Sequence, residues 1–369
     1  MNIWIRTDAS HIIGTGHVMR MLTLAGPLRK KGANVSFICR EHPGHLIDWI
    51  EAKGFPVYRL PYAVDTDRKK DESTVRDWLG TSLKEEIKQV KELMEFHLKG
   101  EHIDWLIVDH YALDQEWEQT FRPYVKRILV VDDLANRPHD CDLLLDPNDY
   151  ENPEQRYATL VPPHTVKLLG PAYALLREEF RTVRKKDRSK TRKIERILVF
   201  FGGSDPTNET EKALLALQDI TLPNLMLDVV VGKSNPHKDR IQKICQTLKN
   251  ANYSCQIENM AERMAEADLC IGAGGSTTWE RCYLGLPSVV TSVAKNQVEA
   301  MERLAKVGAL IYLGWHEQVK KEDIRRAVNE LIAHPERLKE MSQICQKVMA
   351  DKRKHWDLLP DILMREEPC

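Results

Sequence analysis

Short apolar, β-branched runs alternate along this chain with longer stretches whose apolar residues recur at helical spacing. Runs at residues 2–5, 35–39, 105–108 and 128–131 are almost continuously apolar, and 143–145 and 167–169 are shorter candidates. Continuous rather than alternating apolarity fits strands covered on both faces, as in a parallel sheet with crossover helices. Between the first two runs, Val18, Met21, Leu22, Ala25 and Leu28 mark one face of a helix, and weaker periodic stretches follow Gly44 and Thr81. From Glu178 to Arg196 the pattern gives way to Lys/Arg-rich sequence that reads as a solvated connector. The alternation then restarts at 197–201 and continues through 227–231, 254–257, 269–271, 288–291 and 310–313.

Each half opens with a strand, a glycine-bearing loop and a helix: 3–5 before Gly14-Thr15-Gly16, and 197–201 before Gly202-Gly203. The pattern predicts an α/β protein of two doubly wound, Rossmann-like domains facing a cleft, with ligand at the carboxyl ends of both sheets. The expected boundaries are 1–180 for the first domain, 181–196 for a charged linker and 197–335 for the second domain. A helical segment, 336–369, follows and can return to the first domain.

Composition narrows the function. A formal net charge of -1 gives no global field toward nucleic acid or an anionic membrane, so any phosphate must be held locally. No apolar run approaches the roughly 20 residues of a membrane span, and the strand-like start after Met1 lacks the order of a signal peptide. The expected setting is the cytoplasm and the expected state a monomer. The eight cysteines are scattered without a C-x-x-C pair and read as reduced thiols. His42 and His45 stand three apart with no further ligand nearby, and no H-E-x-x-H occurs, so neither a metal nor another cofactor is expected.

Candidate chemistry collects where strands end. Gly14 and Gly16 let backbone approach a ligand, and His17 falls in the first turn of the following helix, whose positive dipole end disfavours imidazolium. A neutral imidazole is what a general base requires. Asp109-His110-Tyr111 closes the run 105–108, Asp132-Asp133 closes 128–131, and Arg6 and Asp8 close the first run. Asp109 can either cap the next segment or orient His17. In the second half, Gly274-Gly275-Ser276-Thr277 follows 269–271 and leads into a helix, an arrangement that cradles a diphosphate on N–H groups and hydroxyls without metal. Glu280 is placed either to accept bonds from a ribose diol or to sit on a solvated helix face. Gly202-Gly203-Ser204-Asp205 is a second close-approach loop, and Asn296-Gln297 can offer amides to a ligand or act as a helix cap.

Taken together, Arg6-Thr7-Asp8, Gly14-Thr15-Gly16-His17-Val18-Met19-Arg20, Val108-Asp109-His110-Tyr111, Val131-Asp132-Asp133, Gly202-Gly203-Ser204-Asp205, Gly274-Gly275-Ser276-Thr277 and Asn296-Gln297 resemble the UDP-sugar hydrolases of pseudaminic acid biosynthesis. These enzymes are similar to the lipid-linked GlcNAc transferase of peptidoglycan synthesis and share its GT-B fold. The resemblance implies metal-free hydrolysis of UDP-2,4-diacetamido-2,4,6-trideoxy-β-L-altropyranose to free sugar and UDP, with inversion at C1. It makes His17 the catalytic base and Tyr111 an active-site tyrosine; in the mechanism this suggests, either Asp8 or Asp109 can hold His17 in its tautomer. Gly14, Gly16 and Arg20 are then substrate-binding, as are the loops at Gly202 and Gly274 with Asn296 and Gln297, while Glu280 matches a ribose-binding glutamate. The charged stretch around 65–100 departs from the shorter relatives expected. Two rival readings are a GT-B glycosyltransferase using a UDP-amino sugar and a non-catalytic nucleotide-sugar sensor; release of UDP without an acceptor separates them.

Overall fold

The computed structural model describes residues 1–62, 75–183, 193–220, 222, 224–349 and 356–365. Most of the charged connector, 184–192, and the first part of the charged insertion, 63–74, lie outside the described residues. The chain divides into two compact units: residues 1–148, 152–175 and 353–369 form one, and 149–151 with 176–352 form the other.

The first unit holds a seven-stranded sheet of β1 (Asn2–Thr7), β2 (Asn34–Arg40), β3 (Val57–Leu60), β4 (Ile103–Asp109), β5 (Val125–Val131), β6 (Leu143–Asp146) and β7 (Val166–Leu169), in the order β3-β2-β1-β4-β5-β6-β7. All neighbours pair in parallel. The winding reverses between β1 and β4, so the loops leaving these two strands diverge and open a crevice at their carboxyl ends. Thr7 lies opposite Asp109 in that pair, which brings the two strand ends level.

Two apolar layers cover this sheet. Ile3, Ile5 and Phe37 face Met21, Leu24 and Leu28 of the helix Gly16–Lys30, joined by Leu359 and Leu363 of the C-terminal helix Leu358–Leu363. That helix is pinned further by the Trp105 indole N–H, which donates to the Leu363 carbonyl at 2.9 Å. On the other face Trp4, Leu106 and Ile128 pack with Val90 and Met94 of the helix Leu83–Leu98 and with Trp117 and Phe121. Full cover on both faces is why these strands read as unbroken apolar runs.

The second unit repeats the plan with β8 (Arg196–Phe200), β9 (Met226–Val231), β10 (Ala251–Cys255), β11 (Leu269–Ala273), β12 (Ser288–Ser292) and β13 (Ile311–Trp315), ordered β10-β9-β8-β11-β12-β13. Its reversal lies between β8 and β11. Leu338 and Met341 place the helix Glu336–Val348 in this unit's core.

Two strands differ from the apolar pattern, and both are edges. Val57–Leu60 was not among the predicted runs because an edge strand needs no continuous apolar sequence and this one carries an exposed Arg59. The tenth strand lies at 251–255 rather than 254–257, with only half-buried and exposed positions, so burial gave its register no strong mark.

Candidate active site

At the first reversal, the loop between β1 and the helix Gly16–Lys30 is closed locally. Ser10 Oγ accepts the N–H groups of Ile12 and Ile13 at 3.1 and 2.8 Å, and the Gly14 N–H donates to the Ser10 carbonyl at 2.9 Å. This fixes the helix start and with it His17, whose ring is almost fully buried. His17 Nδ1 lies 2.6 Å from Asp109 Oδ1, at the end of β4. An ionised carboxylate only accepts, so Nδ1 carries a hydrogen; Nε2 has no hydrogen-bond partner among the described residues. The Tyr111 ring meets the imidazole edge-on at 4.5 Å, and the half-buried Trp78 ring stands 6.3 Å away. These rings limit rotation of the imidazole and shield it from bulk water.

Asp109 is itself clamped. Arg20 donates from Nε to Oδ2 at 2.6 Å and from Nη2 to Oδ1 at 2.5 Å, while Arg20 Nη1 lies 3.8 Å from Asp133 Oδ2. Burial alone would raise the Asp109 carboxyl, but the Arg20 charge, with the hydrogen bonds that Arg20 and His17 make to it, more than offsets this and holds the group at about 2. The Tyr111 hydroxyl donates to Asp133 Oδ1 at 2.5 Å, and burial pushes the phenol well above its usual range.

Asp8 goes elsewhere. Its Oδ1 pairs with Arg6 Nη1 at 2.7 Å and accepts from the Arg40 backbone N–H at 2.7 Å, and its Oδ2 lies 3.2 and 3.4 Å from Nε2 of His110 and His42. Arg6 continues to Glu86 with Nε–Oε1 at 2.8 Å, and Arg40 Nη2 closes on the other Glu86 oxygen. Asp8, Arg6, Arg40 and Glu86 have no exposed side-chain surface. Of the two acids that could orient His17, Asp109 therefore makes the contact, and Asp8 anchors a buried charge network beside it. His110 belongs to that network too: its Nδ1 accepts the Ala112 N–H at 3.2 Å.

The reversal of the second sheet collects the other predicted loops. Gly274-Gly275-Ser276 leaves β11 and enters the helix Thr277–Leu284, where the N–H groups of Gly275, Ser276 and Thr277 have no partner among the described residues. Such N–H groups at a helix start suit phosphate oxygens. Gly274 is required by close packing, since a Cβ there would stand 2.6 Å from Met301 Cγ. Gly202-Gly203 leaves β8, and Gly203 abuts Gly232 so closely that a Cβ on Gly232 would lie 2.1 Å from the Gly203 carbonyl oxygen.

Other predicted residues have local duties. Asp205 accepts the N–H groups of Glu209 and Thr210 and the Thr210 hydroxyl, at 2.9, 3.0 and 2.6 Å, so its carboxylate caps the helix Glu209–Leu217. Ser204 is buried in the same turn. The side-chain Oε1 of Gln297 accepts the Val293 N–H at 3.0 Å, and Asn296 precedes it half-buried. Glu280 is buried rather than solvated, and Arg177 forks onto it. Among the described residues no group of three or more His, Cys, Asp or Glu side chains is arranged to hold a metal ion, and no helix is long and apolar enough to cross a membrane.

The chain is 31% identical over 311 residues to the UDP-2,4-diacetamido-2,4,6-trideoxy-beta-L-altropyranose hydrolase of Campylobacter jejuni, covering 84% of this chain and 97% of that protein. The chain belongs to that hydrolase family. Residues 197–355 match the glycosyltransferase family 28 C-terminal domain. The fold is GT-B: MurG of Acinetobacter baumannii superposes with a TM-score of 0.62 at 16% identity, over 98% of this chain and 99% of that one. UGT89C1 of Arabidopsis thaliana, in complex with UDP, gives 0.65 at 11% identity over 99% and 100%. This hydrolase-family member is thus an enzyme of the GT-B glycosyltransferase type.

Residue patterns alone left out Trp78, Glu86, Arg177 and Gly232. Trp78 had one available signal, a lone tryptophan in an otherwise charged stretch. Glu86 had none, being one of several acids on an exposed-looking helix, and the partners of Arg177 and Gly232 depend on long-range packing.

Proposed function

We propose that the chain hydrolyses a UDP-linked 2,4-diacetamido-2,4,6-trideoxy sugar to the free sugar and UDP, a metal-independent step of pseudaminic acid (nonulosonate) biosynthesis. The observation that carries this is the His17–Asp109 pair: Nδ1 is committed to the carboxylate at 2.6 Å, which leaves Nε2, without a partner among the described residues, as the nitrogen for the base role. His17 Nε2 takes a proton from water as the water oxygen bonds to C1; the bond from C1 to the phosphate oxygen breaks, inverting C1, and its electron pair leaves with UDP. Asp109 orients the ring, and Tyr111 holds its plane by edge contact, with its hydroxyl committed to Asp133. The N–H groups of Gly275, Ser276 and Thr277, with the two hydroxyls, are the proposed donors to the departing phosphate, and Glu280 the proposed ribose acceptor.

The Campylobacter jejuni relative, which acts on this UDP-sugar by its name, supports the substrate. A second reading, transfer of the sugar to a hydroxyl acceptor, is favoured by the family 28 match over 197–355. Turnover in H₂¹⁸O without an acceptor decides. Label in the sugar and UDP release unaffected by EDTA are expected; label in UDP, or no release until an acceptor is added, would overturn the proposal.

A further inference from the structure

Arg20 matched a motif position that suggested substrate binding, but one edge of its guanidinium is taken up by a carboxylate. Nε and Nη2 form two parallel bonds to Asp109, Nη1 faces Asp133 at 3.8 Å, and the side chain is only 12% exposed. Two planar N–H groups facing two carboxylate oxygens is the arrangement an arginine makes best, and it commits that edge of the guanidinium to Asp109. The same Nη2 that bonds Asp109 Oδ1 also lies 3.2 Å from His17 Nδ1, so cation, carboxylate and imidazole share one corner.

The electrostatic consequence follows from the shared oxygen. A carboxylate alone beside an imidazole stabilises the imidazolium, which suits an enzyme that passes through a charged ring but hinders one that needs a free base at rest. Here Asp109 Oδ1 serves Arg20 at 2.5 Å and His17 at 2.6 Å together, and the guanidinium repels a proton arriving on the ring. We propose that Arg20 is a positioning residue that takes up the charge of Asp109, so that the carboxylate selects the His17 tautomer without drawing a second proton onto the ring.

This deepens the reading of His17 as base and rests on it. Among the described residues, the ionisable groups placed at the ring or at its partners are Asp109 at the end of β4, Arg20 one turn along the helix that carries His17, the Tyr111 phenol after β4, and Asp133 after β5 acting through Arg20 and Tyr111. Tyr111 stays neutral, as burial holds its proton, and Asp109 stays ionised down to about 2. Arg20 is therefore the one cation among these groups.

The test is a ¹⁵N-histidine NMR titration of the whole protein without substrate, comparing wild type, Arg20→Gln and Arg20→Lys. In Arg20→Gln the His17 ring should hold its second proton to a pH about one unit higher or more, the scale expected when an opposite charge is no longer balanced. Arg20→Lys keeps the charge without the fork and should show a smaller shift in the same direction, which also serves if Arg20→Gln does not fold. In turnover, the acid limb of kcat should move with the ring titration, with KM changed by less than about threefold and activity recovered on raising the pH. An unmoved ring titration together with a KM raised tenfold or more would make Arg20 a substrate-binding residue and overturn the inference. Because the ring titration needs no substrate, it can succeed even where wild-type protein in H₂¹⁸O releases no UDP, which separates this inference from the proposed reaction.

Discussion

Arg177 holds both carboxylate oxygens of Glu280, Nε to Oε1 at 2.7 Å and Nη2 to Oε2 at 2.8 Å, while its Nη1 reaches Glu179 at 2.8 Å. Glu280 sits one turn into the helix Thr277–Leu284, directly behind the loop proposed to hold the phosphates. The pair makes the carboxylate rigid, and it means that removing Glu280 strands a cation.

Glu280→Ala should therefore do two things. It should raise KM for the UDP-sugar at nearly constant kcat, because ribose contacts do not change during the reaction and contribute uniform binding. It should also lower stability by about 2 kcal/mol, the scale of a lost charged hydrogen-bonded contact, with Glu179 retaining part of the guanidinium's partnership. UDP calorimetry and denaturant melts measure both, and a large fall in kcat at unchanged KM would move Glu280 into the chemistry.

His17→Asn should abolish or slow hydrolysis by roughly 10² to 10⁴, the usual contribution of a positioned base. UDP affinity should stay within about twofold of wild type, since His17 belongs to the first unit and the proposed phosphate donors to the second. Single-turnover UDP release with parallel UDP binding checks this. Turnover near the wild-type rate in the variant would remove His17 from the mechanism.

Acid sensitivity should come from the buried network of β1, β2 and the helix Leu83–Leu98. Burial would raise the carboxyls of Asp8 and Glu86, but Arg6 leads the charges that hold both below their ordinary values, with His110 and His42 adding to Asp8 and Arg40 to Glu86. Depressed folded-state values stabilise the protein fully above the unfolded values of roughly 4, and that stability is lost as pH falls through the folded ones. Glu86→Gln should flatten the fall of stability below about pH 4. Glu86→Ala should cost about 3 to 5 kcal/mol, against under about 0.5 for the exposed Glu92 on the same helix. Equal losses at the two positions in urea melts would mean that the network contributes nothing specific.

Gly232→Ala should displace the loop after β8, because its Cβ would meet backbone of Gly203 at 2.1 Å and backbone cannot swing aside as a side chain can. Weakened UDP binding with an unchanged His17 ring titration is the expected pattern. Wild-type UDP affinity at wild-type stability would show that the Gly203 loop takes no part in nucleotide binding.

Much of this protein was written locally. Continuous apolar runs such as 105–108 and 269–271 announce strands covered on both faces, and the glycine loops behind them announce close approach at strand ends. For the same reason His17 could be placed on the first turn of its helix, since the helix Gly16–Lys30 is marked by its own apolar spacing. The edge strand Val57–Leu60 escaped because an edge asks for no such run. What remained open in the residue pattern were choices between partners distant along the chain. Asp8 and Asp109 look alike there, and only the pairing of β1 with β4 brings Asp109, 92 positions away, onto the His17 ring. Glu86 reads as one charge on a solvated helix until the sheet order sets β1 beside β2 and brings Arg6 and Arg40 together over it. The partner of Arg20 is likewise hidden in the sequence, and the fold puts the Asp109 carboxylate against its fork. Local sequence dictates which backbone forms where; the identity of a buried charge's partner depends on which strands are neighbours, and that is settled by packing of the whole sheet.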